Sequence, residues 1–129
     1  MIVVDSSVWI DFFNGKNTLE VERLESCLGV TPIAIGDLIL VEVLQGFRNS
    51  KDMEVASEIF SSLGSIEMLA DNCKYKAVEN YRYLRSKGIT VRKTIDGIIA
   101  TACIETKLPL LFSDRDFLPY VEHLGLLVA

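Results

Sequence analysis

Short apolar runs alternate with amphipathic stretches along the chain, and this alternation predicts strands interleaved with helices. Ile2-Val3-Val4 is a mostly β-branched run suited to a buried strand. Val8, Trp9, Phe12 and Phe13 then repeat at helical spacing. They predict a helix to about Asn14, with Ser6 or Ser7 as its cap and Gly15 as its stop. Asn17 and Glu20 open a second helix with Val21, Leu24 and Leu28 on one face, closed by Gly29. Pro32-Ile33-Ala34-Ile35 reads as a buried strand. Asp37 follows as the cap of a helix to about Phe47, apolar nearly all round and therefore expected to be buried.

The same grammar continues downstream. Met53, Ala56, Phe60 and Leu63 mark a core-facing helix ended by Gly64, and Ile66-Glu67-Met68-Leu69 is a third strand. Asp71 is positioned to cap a long helix through Ser86, with Ala77, Val78, Tyr81 and Leu84 inward and Gly88 as its end. Ile89-Thr90-Val91 reads as extended, and Thr94 begins a helix carrying Ile95, Ile98, Ile99, Ala102 and Cys103. Pro109 cannot continue that helix. Leu110-Leu111-Phe112 is a fourth strand, a short helix lies within 114–121, and Leu126-Leu127-Val128 is a last short strand. Strands alternating with helices imply an α/β fold whose parallel sheet is covered on both faces. At 129 residues, without a linker or repeat, one domain over 1–129 with about five short strands is expected.

Four acids interrupt this apolar pattern. Asp5 and Asp114 directly follow predicted strands, so both should open onto the carboxyl edge of the sheet, where open α/β sheets place ligands. Glu42 lies among Leu38, Ile39, Val41, Val43 and Leu44, and Asp96 among Ile95, Ile98 and Ile99. A carboxylate in an apolar setting is normally paired or bound to metal. Any one of these acids alone reads equally well as a cap or an ion-pair partner. Four on one rim repel one another, and a divalent cation removes that conflict. Carboxylates without a His or Cys cluster suit Mg²⁺ or Mn²⁺ rather than zinc. The sole histidine, His123, is expected to be exposed, and no P-loop or GxGxxG is present.

Charge adds a second element. The net charge is −5, but residues 74–93 hold seven basic residues and one acid, so that segment is +6 and the remainder −11. A basic strip on an acidic protein can hold a polyanion, and Arg85, Arg92 and Lys93 are its candidate contacts. For any single residue, a solvated helix face is the better explanation of the charge. Cys27, Cys73 and Cys103 are odd in number and form no CxxC pair, which points to reduced core residues. The apolar runs are too short to span a bilayer, and with a strand pattern at the start the protein is expected to be cytoplasmic.

Taken together, these stretches resemble the PIN domain, and within it the VapC-type ribonuclease toxins of toxin–antitoxin pairs. The resemblance rests on Val4-Asp5-Ser6-Ser7-Val8-Trp9-Ile10, on Val41-Glu42-Val43 with Gln45-Gly46, on Thr90-Val91-Arg92-Lys93-Thr94-Ile95-Asp96-Gly97-Ile98-Ile99-Ala100, and on Phe112-Ser113-Asp114-Arg115-Asp116-Phe117. It implies a three-layer α/β/α fold and a Mg²⁺- or Mn²⁺-dependent endoribonuclease. It also implies a homodimer and a small VapB-like antitoxin bound over the active site, with no membrane partner. Asp5, Glu42, Asp96 and Asp114 map onto the family's acidic, metal-holding positions, with Asp116 as an accessory acid. Ser6 or Ser7 is expected to orient a carboxylate or a water. Two other readings compete: a receiver-like phospho-acceptor using Asp71, and a non-catalytic PIN-like binding module. The first leaves Glu42 and Asp96 unexplained, and the intact acids weigh against the second.

Overall fold

A computed structural model describes all of residues 1–129. Four short strands, β1 (Ile2–Val4), β2 (Ile33–Gly36), β3 (Gly64–Ile66) and β4 (Leu110–Leu111), form one sheet in the order β3-β2-β1-β4. Every pairing is parallel, with Val3 opposite both Ala34 and Leu110. Ile2, Val3 and Val4 are all buried, as are Ile33 to Gly36. Successive strand residues point to opposite faces, so burial of every residue means helices cover both sides: a three-layer α/β/α arrangement.

Seven helices surround the sheet: α1 (Ser6–Phe13), α2 (Leu19–Cys27), α3 (Asp37–Gln45), α4 (Ser50–Ser61), α5 (Cys73–Ser86), α6 (Thr94–Thr106) and α7 (Leu118–Leu124). One continuous cluster of 24 buried residues forms the core, with Trp9, Phe60, Phe117 and Tyr120 among its largest members. No helix is long and apolar enough to cross a membrane. The strand order reverses between β1 and β4: β2 and β3 extend to one side of β1 and β4 lies on the other. That reversal opens a crevice at the strands' carboxyl ends.

Several elements differ from the expected pattern for local reasons. The sheet has four strands rather than five, because the last segment pairs only through a single bridge between Leu110 and Val128. Leu127 and Val128 face solvent there, so no apolar burial extends the pairing. The third strand lies at 64–66 instead of 66–69. Met68 instead drops into the space above Gly36, where any side chain would collide with its thioether, and its N–H donates to Asp37 Oδ1 at 3.0 Å. Helix α3 is buried only along Ile39 and Val43, while Val41 is exposed. Helix α5 buries only Leu84, leaving Val78 and Tyr81 exposed. Asp71 does not cap α5. It adopts a left-handed φ of 54°, which aspartate tolerates, and turns the chain one residue before Asn72, the N-cap. Cys27 and Cys103 are buried thiols, whereas Cys73 is half-exposed at the start of α5.

Candidate metal centre

The end of β1 builds one wall of the crevice. Asp5 is itself the N-cap of α1, in place of either serine, accepting from the Ser7 N–H at 3.3 Å and from Ser7 Oγ at 2.7 Å. Its backbone N–H donates to the Leu111 carbonyl at 2.9 Å, which joins the ends of β1 and β4. Ser6 turns the other way and donates to Glu42 Oε1 at 2.6 Å. The two serines thus divide the work, Ser7 orienting Asp5 and Ser6 orienting Glu42. Ser113, which the sequence motifs did not single out as a site residue, lies 3.1 Å from Ser7 Oγ and extends this network to the β4 side. Its only sequence signal is its place between Phe112 and Asp114.

The opposite wall comes from α6 and the turn after β4. Asp96 lies in the first turn of α6 and is buried. Asp114 caps the 3₁₀ turn Arg115–Phe117 by accepting the Asp116 N–H at 2.9 Å. Carboxylate oxygens of Asp96, Asp114 and Asp116 lie within 4.8 Å of one another. Asp116, expected only as an accessory acid, therefore belongs to the tightest group. Asp5 and Glu42 form a second tier whose charges act on Asp96 across the crevice.

The electrostatics follow from this placement. Burial pushes the Asp96 carboxyl up to about 6, aided by the negative charges of Asp5, Asp114 and Glu42 and opposed by Lys93. Burial also raises Asp5, against the hydrogen bonds from Ser7 and Ser6 and with a smaller contribution from Glu42. Asp114 moves the other way. The Asp116 N–H and the Lys93 ammonium, donating at 2.9 Å to Asp114 Oδ2, hold it below the usual carboxylate range. Lys93 is raised in turn, first by that hydrogen bond and then by the charges of Asp114 and Asp96. Tyr120, packed beneath Gly97, is pushed up to about 12 by burial and then by Asp96.

The donor set fits a hard divalent cation. Asp96 Oδ2 is buried without a hydrogen-bond partner, a costly state for a carboxylate oxygen. An oxygen-only group of three clustered carboxylates matches the ligand preference of Mg²⁺ or Mn²⁺. His123 is exposed beside Glu122 on α7. Of the basic candidates, Lys93 enters the acid group, Arg92 is exposed beside it, and Arg85 stacks over the Tyr81 ring at 5.6 Å on α5.

The chain is similar over most of its length to several known proteins. A VapC ribonuclease of Mycobacterium bovis, Mb1587, is 29% identical over 121 residues, covering 91% of this chain and 89% of the relative. Ribonuclease VapC11 of Mycobacterium tuberculosis matches equally. Among solved structures, VapBC2 of Rickettsia felis, bound to a DNA fragment from its promoter, superposes with a TM-score of 0.78 at 21% identity, covering 100% of this chain and 98% of that one. FitAcB of Neisseria gonorrhoeae gives 0.71 at 15% identity, covering 100% and 97%. Those structural likenesses carry the fold. The family model for the PIN domain matches residues 2–121, spanning both walls of the acidic crevice and every strand of the sheet, and the chain belongs to the PIN domain family.

Proposed function

We propose that this protein is a VapC-type, Mg²⁺- or Mn²⁺-dependent endoribonuclease, the toxin of a toxin–antitoxin pair. The observation that carries the reading is the buried Asp96 Oδ2, which accepts no hydrogen bond, within a group of three carboxylates at the sheet's switch point. A structural acid would be satisfied by a hydrogen-bonded cap or arginine, whereas this oxygen has only the exposed Lys93 ammonium at 3.9 Å. The two mycobacterial ribonucleases, similar over nine-tenths of this chain, support the choice of RNA as substrate.

In this reading Asp96, Asp114 and Asp116 hold the cation, and Asp5 and Glu42 complete the acidic crevice. When bound, the cation supplies an activated water and stabilises charge on the scissile phosphate. The chain's own contribution is orientation. Ser7 fixes Asp5, Ser6 fixes Glu42, and the backbone at Asp116 fixes Asp114, so few side chains need reordering when substrate arrives. Arg92 and Lys93, beside the acids, and Arg85 on α5 offer positive charge to the RNA backbone.

The partners proposed are an RNA substrate, a small VapB-like antitoxin and a second copy of the chain. The exposed Leu69, Val78, Tyr81 and Ile95 give the homodimer apolar surface to bury. A cytoplasmic location fits this role. The deciding experiment is cleavage of RNA by purified protein with and without EDTA, followed by Mg²⁺ or Mn²⁺ add-back. Restoration by metal is the expected result, and metal-free cleavage by clean protein would overturn the proposal. Relief of growth arrest by co-expression of the neighbouring reading frame tests the antitoxin.

A further inference from the structure

Lys93 is out of place for a helix N-terminus. It is the N-cap of α6, its side chain makes no capping bond, and it lies at the positive end of the helix dipole, where a cation is disfavoured. The ammonium nevertheless points into the crevice, 2.9 Å from Asp114 Oδ2 and 3.9 Å from Asp96 Oδ2. Those two carboxylates belong to the group with oxygens within 4.8 Å of one another. The contact is therefore made by the acids against the preference of the helix. Little else holds the side chain, which is 58% exposed. The backbone N–H groups of Thr90 to Lys93 donate to no other backbone group, so the approach to α6 is lightly tied.

We infer that Lys93 is a built-in counter-ion that holds the cation's place between Asp96 and Asp114 in the metal-free protein and transfers to a substrate phosphate when the cation binds. The inference rests on the metal-dependent nuclease reading and goes beyond it by giving one residue two successive partners. A divalent cation among the same oxygens carries twice the charge and does not require a long side chain to be immobilised, so it displaces the ammonium. Once displaced, Lys93 is repelled by both the cation and the α6 dipole. The RNA backbone brought to the crevice then offers it a new opposite charge. Arg92 makes no ion pair with any acid, so it lacks the first role and serves as an internal control.

The two residues then carry different signatures. Mn²⁺ binding to the full-length protein is measured by titration calorimetry, and RNA binding by anisotropy with a cleavage-resistant phosphorothioate oligonucleotide in Mn²⁺. Lys93→Met is expected to bind Mn²⁺ roughly two- to fivefold tighter, the range set by an exposed ion pair, and to bind RNA more weakly. Arg92→Ala is expected to bind Mn²⁺ as wild type does and RNA more weakly. Lys93→Arg should restore competition with Mn²⁺. Lys93→Gln carries the same test if the methionine variant does not fold. Unchanged or weaker Mn²⁺ binding by the neutral variants would overturn the inference while leaving the nuclease reading standing. No Mn²⁺ binding by wild type or variants would overturn both.

Discussion

The Ser6 hydroxyl donates to Glu42 Oε1 at 2.6 Å, joining the first turn of α1 to the middle of α3 across 36 residues of chain. Ser7, one residue on, donates instead to Asp5 at 2.7 Å. Consecutive residues of a helix point about 100° apart, which is why two neighbouring serines can serve two different acids.

Ser6→Ala is expected to lower the cleavage rate about tenfold while leaving the melting temperature nearly unchanged. A hydrogen bond to a charged group is worth about 1.5–3 kcal/mol, but half-buried Glu42 can recover part of that from water. The comparison of kcat/KM for Ser6→Ala and wild type decides it. An unchanged rate together with a lowered melting temperature would make the bond an anchor between helices and nothing more.

Gly36→Ala addresses the fold rather than the site. Gly36 ends β2, and an added Cβ would meet the Sδ and Cε of the buried Met68. Displacing Met68 also strains its N–H bond to Asp37. Overpacking of this kind costs about 1–3 kcal/mol. Chemical denaturation should show a shifted midpoint with an unchanged slope. A combined Gly36→Ala, Met68→Ala variant should relieve the clash, though it leaves a cavity. Equal stability of Gly36→Ala and wild type would mean that Met68 finds another rotamer at no cost.

Much of this fold was legible because its strands and helices are short and strongly punctuated. β1, β2 and β4 stand where apolar runs meet Pro, Gly or Asp, and α1, α2 and α6 follow their apolar spacing. Position 68 shows what a one-dimensional reading misses. Met68 looks like a strand residue, yet its burial comes from a hole above Gly36, 32 positions away in the chain. Val78 and Tyr81 show the opposite failure: their spacing implies an inner face, but α5 packs against α6 with only Leu84 buried in the core. The acids were legible as a group because each interrupts an apolar run. Their grouping was not, since the closeness of Asp116 to Asp96 depends on the 3₁₀ turn that Asp114 caps. Ser113 left no trace in periodicity, because its role arises from the parallel alignment of β1 and β4.

Arg92→Ala is expected to weaken RNA binding and to flatten its salt dependence. Arg92 is exposed and has no acid partner, so its charge is free for a phosphate. Each phosphate contact to single-stranded nucleic acid contributes a slope of roughly 0.7 in log K against log salt. Anisotropy titrations from low to physiological salt give the slope directly. Identical slopes for wild type and variant would return this residue to the solvated surface.

Asp96 and Asp114, on the same wall of the crevice, respond to pH in opposite directions. Asp96 is raised from 3.8 to about 6, so between those values the folded protein holds more of its proton than the unfolded chain does. Stability of the metal-free protein must then fall as pH rises from about 4 to 6 and level off above. The shift corresponds to about 3 kcal/mol, at about 1.4 kcal/mol per unit. Asp5, also raised, adds to the same fall. Asp114 is lowered and contributes the opposite slope, but only at and below its unfolded value, so the windows separate near pH 4. Asp96→Asn removes the largest of these effects. Its metal-free melting temperature should be equal to wild type near pH 4 and higher at pH 7, and its cleavage should be abolished. Mg²⁺ reverses the sign, because it binds the ionised carboxylates: in excess Mg²⁺ wild-type stability should rise from pH 5 to 7 while the variant gains little. Melting curves across pH 4–8, with EDTA and with Mg²⁺, read both arms. A variant that melts lower than wild type at pH 7 in EDTA, with cleavage retained, would make Asp96 a structural acid and remove the metal centre from this crevice.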